Sequence, residues 1–341
     1  MDMGREMPGL WSHGMTPLLK VQGLHVAYAD RLGELCPALA GVNFDLHPGE
    51  ILGVVGESGS GKSTLAAALL RLLPSNGKIQ QGTVLFEGKN LLDASPQELR
   101  KIRGGRIGLI FQEPSSSLHP TMQVGRQVSD VLAAHESFDR RTLNEKTNQL
   151  LATVFPVDAA RISGSYPHEL SGGQLQRVLI AQAIACGPSL LIADEPTASL
   201  DPTTQQEILQ LFLTLRQKFG LAIILITHNP ALLAGLADRL LVLYAGRVAE
   251  IGPTAQVLAS PQHPYTAALF RCLPSHFAES RGTRKAKMQV IPGDPPDLSL
   301  RAQGCQFEPR CTVRMEVCKS GEPAAVAVGE RHEVSCFKFP G

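Results

Sequence analysis

Apolar residues follow two alternating rhythms along this chain. ILGVVG (51–56), SLLIADEP (189–196) and LAIILITH (221–228) are short, almost unbroken apolar runs, the pattern of strands buried on both faces of a parallel sheet. STLAAALLRLL (63–73) and TTQQEILQLFLTLRQKF (203–219) instead repeat apolar residues at helical spacing. VQGLHVAYA and VNFDL, between Leu19 and Leu46, read as strands, as do GTVLFEG and RIGLIFQ further on. Between the last two, SPQELRKI predicts a short helix with Ser95 as N-cap and Pro96 in its first turn. Strands alternating with helices predict an α/β core with a mostly parallel sheet.

Three stretches break this rhythm. Residues 1–17 read as a loose leader. The chain turns helical with few strand signals from residue 113, which predicts an inserted helical subdomain over 113–175. From about 275 it becomes Pro-rich, cysteine-bearing and aperiodic, the mark of a C-terminal appendage; the extension is placed at 263–341 and the main domain at 18–262.

Composition narrows the class. With 341 residues the chain is long enough for a large core and two domains. A net charge of +1 gives no bulk attraction to nucleic acid or an acidic membrane. No apolar run approaches the roughly 20 residues of a membrane helix, and the first residues lack the charged-then-apolar order of a signal peptide. These features predict a cytosolic protein whose membrane role, if it has one, comes through partners. Of seven cysteines, Cys36, Cys186 and Cys272 are scattered; Cys305, Cys311, Cys318 and Cys336 crowd the last 37 residues. In a reducing compartment such a cluster suggests metal before disulfide.

GESGSGKS (56–63) has the form G-x-x-x-x-G-K-[ST] between an apolar strand and a helix, the context that makes it a phosphate loop. The loop residues Gly56, Glu57, Ser58, Gly59, Ser60, Gly61, Lys62, Ser63 and Thr64 are the candidate ATP cradle. In it backbone N–H groups wrap the phosphates, Lys62 reaches the β- and γ-phosphates and Ser63 ligates Mg²⁺. LLIADEP ends a buried strand in two carboxylates. Acids there are costly unless they serve a cation or a proton: Asp194 is the candidate Mg²⁺ partner and Glu195 the base that polarises an attacking water. LSGGQLQRV (170–178) opens another helix suited to an anion, and one ATP does not need two such cradles from one chain.

The order phosphate loop, Gln112 after RIGLIF, LSGGQ, LLIADEP, ASLD (198–201) and ITH ending at His228 resembles ABC-type ATPases over residues 19–260. That resemblance implies a P-loop NTPase of ABC type: a mostly parallel core sheet, an antiparallel β subdomain, the helical insertion and the short Cys-bearing extension. It implies that Gln112 joins Ser63 and Asp194 as a Mg²⁺ ligand and couples the Mg²⁺ and water position to a transmembrane partner, that His228 stabilises the γ-phosphate, and that Asp201 touches the opposite subunit. Tyr28 would stack on adenine. Ser171, Gly172, Gly173 and Gln174 would serve the ATP bound by a partner, two subunits closing head to tail over two ATPs.

FQEPSSSLHPTMQVGRQV (111–128), HPYTAALFRCLP (263–274), IPGDPPDL (291–298) and GCQFEPRC (304–311) resemble ATPases of oligopeptide and dipeptide importers. The same family holds nickel importers and peptide-resistance systems. The resemblance implies docking on two permease subunits at the cytoplasmic face of the inner membrane, an ATPase partner that is a second copy or a homologous chain, and indirect service to a solute-binding protein outside. No nucleic acid is implied. Five, six and seventeen residues separate the four cysteines. This spacing lacks the close pairs of zinc modules, and the resemblance favours a four-iron four-sulfur cluster over zinc. Asn229 departs from the family, which usually has an acid after the histidine. The competing class is a soluble, non-transport ABC ATPase switch, disfavoured by the segment after Gln112 and by the cysteine tail.

Overall fold

The computed structural model describes residues 16–112, 117–272, 290–296 and 303–339. Nearly all of the expected leader (1–17), residues 113–116, and parts of HPYTAALFRCLP and IPGDPPDL lie outside them.

Two sheets organise these residues. Strands β1 (Leu19–Ala29), β2 (Leu35–Leu46), β4 (Gly77–Phe86) and β5 (Lys89–Asn90) form an antiparallel sheet ordered β2-β1-β4-β5. The other sheet joins β3 (Ile51–Val55), β6 (Ile107–Ile110), β7 (Leu190–Asp194), β8 (Ala222–Ile226), β9 (Arg239–Tyr244), β10 (Arg247–Pro253), β11 (Val326–Gly329) and β12 (His332–Val334) in the order β11-β12-β10-β9-β3-β8-β7-β6. The β9-β3-β8-β7-β6 part is parallel. β10 and the hairpin β11–β12 complete it antiparallel.

The unbroken apolar runs have the expected cause. Every residue of β3, β7, β8 and β9 is buried, and alternate residues feed opposite faces. Ile51, Leu191, Ile223 and Leu240 pack into one core, with the helices Gly172–Ile184 and Pro202–Phe219. Leu52, Leu190, Ile224 and Leu241 pack into the other, with the helix Lys62–Leu69 and the antiparallel sheet. The insertion supplies helices Val124–His135, Arg140–Val154 and Ala159–Gly164, whose Val124, Val128, Leu151 and Ile162 continue the first core.

The Ser95 signal corresponds to its element, and the structure adds a second cap. Ser95 caps Pro96–Ile102 through a capping box with Glu98, and Asp201 caps Pro202–Phe219. The helix expected over 63–73 ends sooner, at Leu69. Arg71 takes φ 52°, left-handed backbone that ends a helix, and the Arg103 guanidinium donates to the Leu70 and Arg71 carbonyls.

The aperiodic C-terminal region is stitched to the main sheet. β12 pairs with β10, and the buried His332 Nε2 lies 2.8 Å from Oε1 of the fully buried Glu250. Phe307 packs edge-on against Tyr244 and Tyr265.

Candidate functional site

The loop at 56–64 leaves the end of β3 and enters the helix Lys62–Leu69. Gly61 sits at φ 104°, and a Cβ there would meet Leu39 Cδ2 at 2.8 Å and the Ala38 carbonyl at 2.9 Å; only glycine fits. Lys62, 6% exposed, folds back so that Nζ donates to the carbonyls of Gly56 and Glu57, each at 2.9 Å. Burial pushes its ammonium pKa down, against the pull of Glu195, Asp194 and Glu57. Lys62 Nζ is therefore held at the loop with Asp194, the last residue of β7, and Glu195, just past it, in electrostatic reach.

Asp194 ends β7, buried, and takes a hydrogen bond from the Ser63 side chain. Its Oδ1 is buried without a hydrogen-bond partner. Burial, first, and then the neighbouring Glu195 push its pKa up, while Ser63 and Lys62 pull it down. An unsatisfied buried carboxylate oxygen is costly, and a hard divalent cation would relieve that cost. Ser63 and Asp194 supply the oxygen donors Mg²⁺ prefers, so the residues present fit the ion.

Glu195 stands at φ 47°, a left-handed conformation unusual for a side-chain-bearing residue. Its N–H is anchored on the Ile226 carbonyl at 3.0 Å. Gln112 Nε2 donates to Glu195 Oε2 at 3.2 Å, and His228 Nδ1 lies 3.3 Å from the same oxygen. Three residues from three strand ends thus meet at one carboxylate oxygen beside the phosphate loop. Gln112 and His228 are exposed, so the group opens to solvent. Asn229 accepts from the Ala231 N–H and caps the short 3₁₀ turn Pro230–Leu233. Asn and Asp cap equally well, so Asn229 keeps a capping side chain at this turn.

Tyr28, on β1, places its hydroxyl 3.2 Å from Thr64 Oγ1, tying its ring to the loop's helix. Ser171 caps the helix Gly172–Ile184 in a capping box with Gln174 and is exposed together with Gly172. Beside it run the ASLD segment and the first turn of the helix Pro202–Phe219: a Cβ on Gly172 would meet Leu200 Cδ2 at 3.3 Å, and one on Gly173 would meet Thr204 Cγ2 at 2.4 Å. Asp201 accepts from the backbone N–H groups of Thr203 and Thr204 and from the Thr204 hydroxyl at 2.6 Å. Those bonds, the hydroxyl's above all, hold its pKa down. The signature helix start and Asp201 thus share one surface patch.

Cys305, Cys311, Cys318 and Cys336 are gathered in the extension, and the Cys305 N–H donates to the Cys318 carbonyl. Burial pushes the Cys305 thiol up to about 11, with lesser contributions from the other three thiols. Among the described residues, however, no three or more His, Cys, Asp or Glu side chains come together as a metal-ligand set. The four cysteines share a corner without forming a cage.

Two residues at the phosphate loop escaped the sequence reading. Tyr265 OH accepts from the Glu57 N–H at 2.8 Å, and Arg310 pairs with the Glu57 carboxylate. Both lie in segments singled out only for family likeness, far from the loop in sequence.

Phosphate loop, strand-end carboxylate pair and a second glycine-bearing helix start on one parallel sheet define a P-loop ATPase of the ABC type. Residues 39–198 match the ABC transporter family, and residues 249–318 match the oligopeptide/dipeptide transporter C-terminal region. The chain is 43% identical over 321 residues to the oligopeptide transport ATP-binding protein OppD of Escherichia coli, covering 94% of this chain and 93% of that one. It is 40% identical over 330 residues to a putative peptide import ATP-binding protein of Brucella ovis, covering 95% and 97%. Among solved structures it resembles a dimeric ATP-binding cassette bound to ADP and Pi in a post-hydrolysis state, with TM-score 0.62 and 29% identity over 69% of this chain and 98% of that one. A subunit of an ABC transporter complex from Clostridium perfringens gives TM-score 0.62 and 31% identity over 72% and 91%. The chain belongs to the ATP-binding proteins of the oligopeptide/dipeptide ABC transporter family and is an ATPase. Among the described residues no helix is long and apolar enough to cross a membrane.

Proposed function

We propose that this chain energises the import of oligopeptides or dipeptides as the peripheral, cytoplasmic-face ATPase of an inner-membrane complex. Two permease subunits and a second ATPase, a copy or a homologous chain, complete the complex, and a solute-binding protein feeds it from outside. The observation that carries the catalytic part is the single oxygen Glu195 Oε2, placed between Gln112 and His228 next to the Ser63–Asp194 pair.

In this reading the Lys62 ammonium and the N–H groups of the loop, apart from that of Glu57, which donates to Tyr265 OH, bind the triphosphate, and the Tyr28 ring supports the adenine. Ser63, Asp194 and Gln112 would hold Mg²⁺, and the ion would supply neutralisation of charge on the phosphate oxygens. Glu195 draws the proton of the attacking water. Gln112 and His228 fix the Glu195 carboxylate, His228 also facing the γ-phosphate. Ser171, Gly172, Gly173 and Gln174 present a second helix start to the γ-phosphate held by the partner ATPase, with Asp201 at the same seam. ATP between the subunits then favours closure, and its hydrolysis releases them. Cys305, Cys311, Cys318 and Cys336 would supply the thiolates of an iron–sulfur cluster or a zinc ion. Their gathering in one corner supports this reading; the absence of a formed ligand set among the described residues counts against it.

Uptake tests the function. In cells whose copy carries Lys62→Ala, accumulation of a labelled tripeptide should fall roughly tenfold or more, because the loop loses its phosphate-binding cation. Nickel accumulation should stay unchanged. Intact peptide uptake with failed nickel uptake would move the proposal to a nickel system.

A further inference from the structure

The phosphate loop is held from behind by the C-terminal extension. Glu57, its second residue, is fixed at two points. Its N–H donates to Tyr265 OH at 2.8 Å. Its carboxylate takes both arms of the Arg310 guanidinium, Nη1 to Oε2 at 2.7 Å and Nη2 to Oε1 at 3.0 Å. Arg310 is 7% exposed and is itself anchored: Nε donates to the Pro292 carbonyl at 3.0 Å, Nη1 reaches Tyr244 OH at 3.3 Å, and the guanidinium lies 5.9 Å from the Tyr244 ring centre. Phe307, three residues before it, wedges against Tyr244 and Tyr265. The fork drives the Arg310 pKa further up, the Glu57 bonds being the largest cause.

We propose that Arg310 is a positioning residue for ATP binding, through which the extension completes the phosphate loop. The inference rests on the reading of residues 56–64 as the triphosphate cradle. Two physical consequences support it. A carboxylate inside an anion-binding loop repels the ligand, and a bidentate guanidinium cancels that charge while fixing its direction. The Glu57 carbonyl also receives Lys62 Nζ at 2.9 Å, so the residue Arg310 holds also sets where the loop's ammonium stands. Loss of Arg310 leaves a partly buried carboxylate uncompensated beside the phosphates and frees the backbone on which Lys62 leans. Cys311 follows Arg310 directly, so disruption of the cysteine corner would act on ATP affinity through the same contact.

The test is the affinity of the purified full-length chain for a fluorescent ATP analogue, with the melting temperature of each variant as a control for folding. Arg310→Met should weaken binding about tenfold, the effect of one uncompensated charge near the phosphates after screening. Glu57→Gln added to Arg310→Met should bring affinity back to within about threefold of the parent, since the repelling charge is then gone. A role confined to folding of the extension would not be rescued in this way. Binding within twofold of the parent in Arg310→Met, or equal weakening in the double variant, would overturn the inference. If the methionine variant does not fold, Arg310→Lys carries the test, because it keeps the charge and gives up the fork. It should raise the KM for ATP about threefold at unchanged kcat, and an unchanged KM would overturn the inference. A parent chain that binds no nucleotide would instead remove the loop reading beneath it.

Discussion

Glu195→Gln should lower ATP turnover by about a thousandfold while leaving ATP bound. Glutamine keeps the shape of the side chain and an oxygen for Gln112 and His228, whose nitrogens lie 3.2 and 3.3 Å from Glu195 Oε2. It removes only the capacity to draw a proton from water. The backbone supports this economy: Glu195 holds φ 47° with its N–H on the Ile226 carbonyl, so its side chain is aimed before any substrate arrives. Phosphate release in a single turnover, measured beside ATP retention on a filter, separates the two effects. Turnover at the parental rate would strike Glu195 from its role.

The second large effect concerns Gly173→Ala. A Cβ at this position would stand 2.4 Å from Thr204 Cγ2, and Thr204 is tied to Asp201 through its N–H and hydroxyl. Alanine favours a helix, so the helix itself should survive; what shifts is the seam between the signature start and the ASLD segment. Turnover should fall about a hundredfold, the scale of losing a preorganised donor to developing charge. The affinity of the isolated chain for ATP should hold, because the phosphate loop is untouched. Affinity and turnover falling together would mean that this helix start serves the chain's own nucleotide, against the head-to-tail arrangement.

Much of this site is legible in the chain before any coordinates, because its elements are local and periodic. The loop at 56–64 lies between a wholly apolar strand and a helix, and Asp194 and Glu195 stop another apolar run. The cap at Ser95 is likewise local, a side chain bonding to its own helix. What stays hidden depends on long-range partners. Arg310 meets Glu57 across 253 positions and His332 meets Glu250 across 82, and neither residue carries a pattern that names its partner. The hairpin Val326–Gly329 and His332–Val334 is too short for alternation to reveal, yet it extends the main sheet. The same limit holds at the cysteines: spacing shows that four thiols are close in sequence, while their geometry is a corner rather than a cage.

The most direct measurement of the central claim is recovery of the tagged chain from membranes in mild detergent, with its companions identified by mass spectrometry. The account predicts two multi-spanning permeases and an ATPase partner, a second copy or a homologous chain. Recovery from the soluble fraction alone, without any permease, would contradict it.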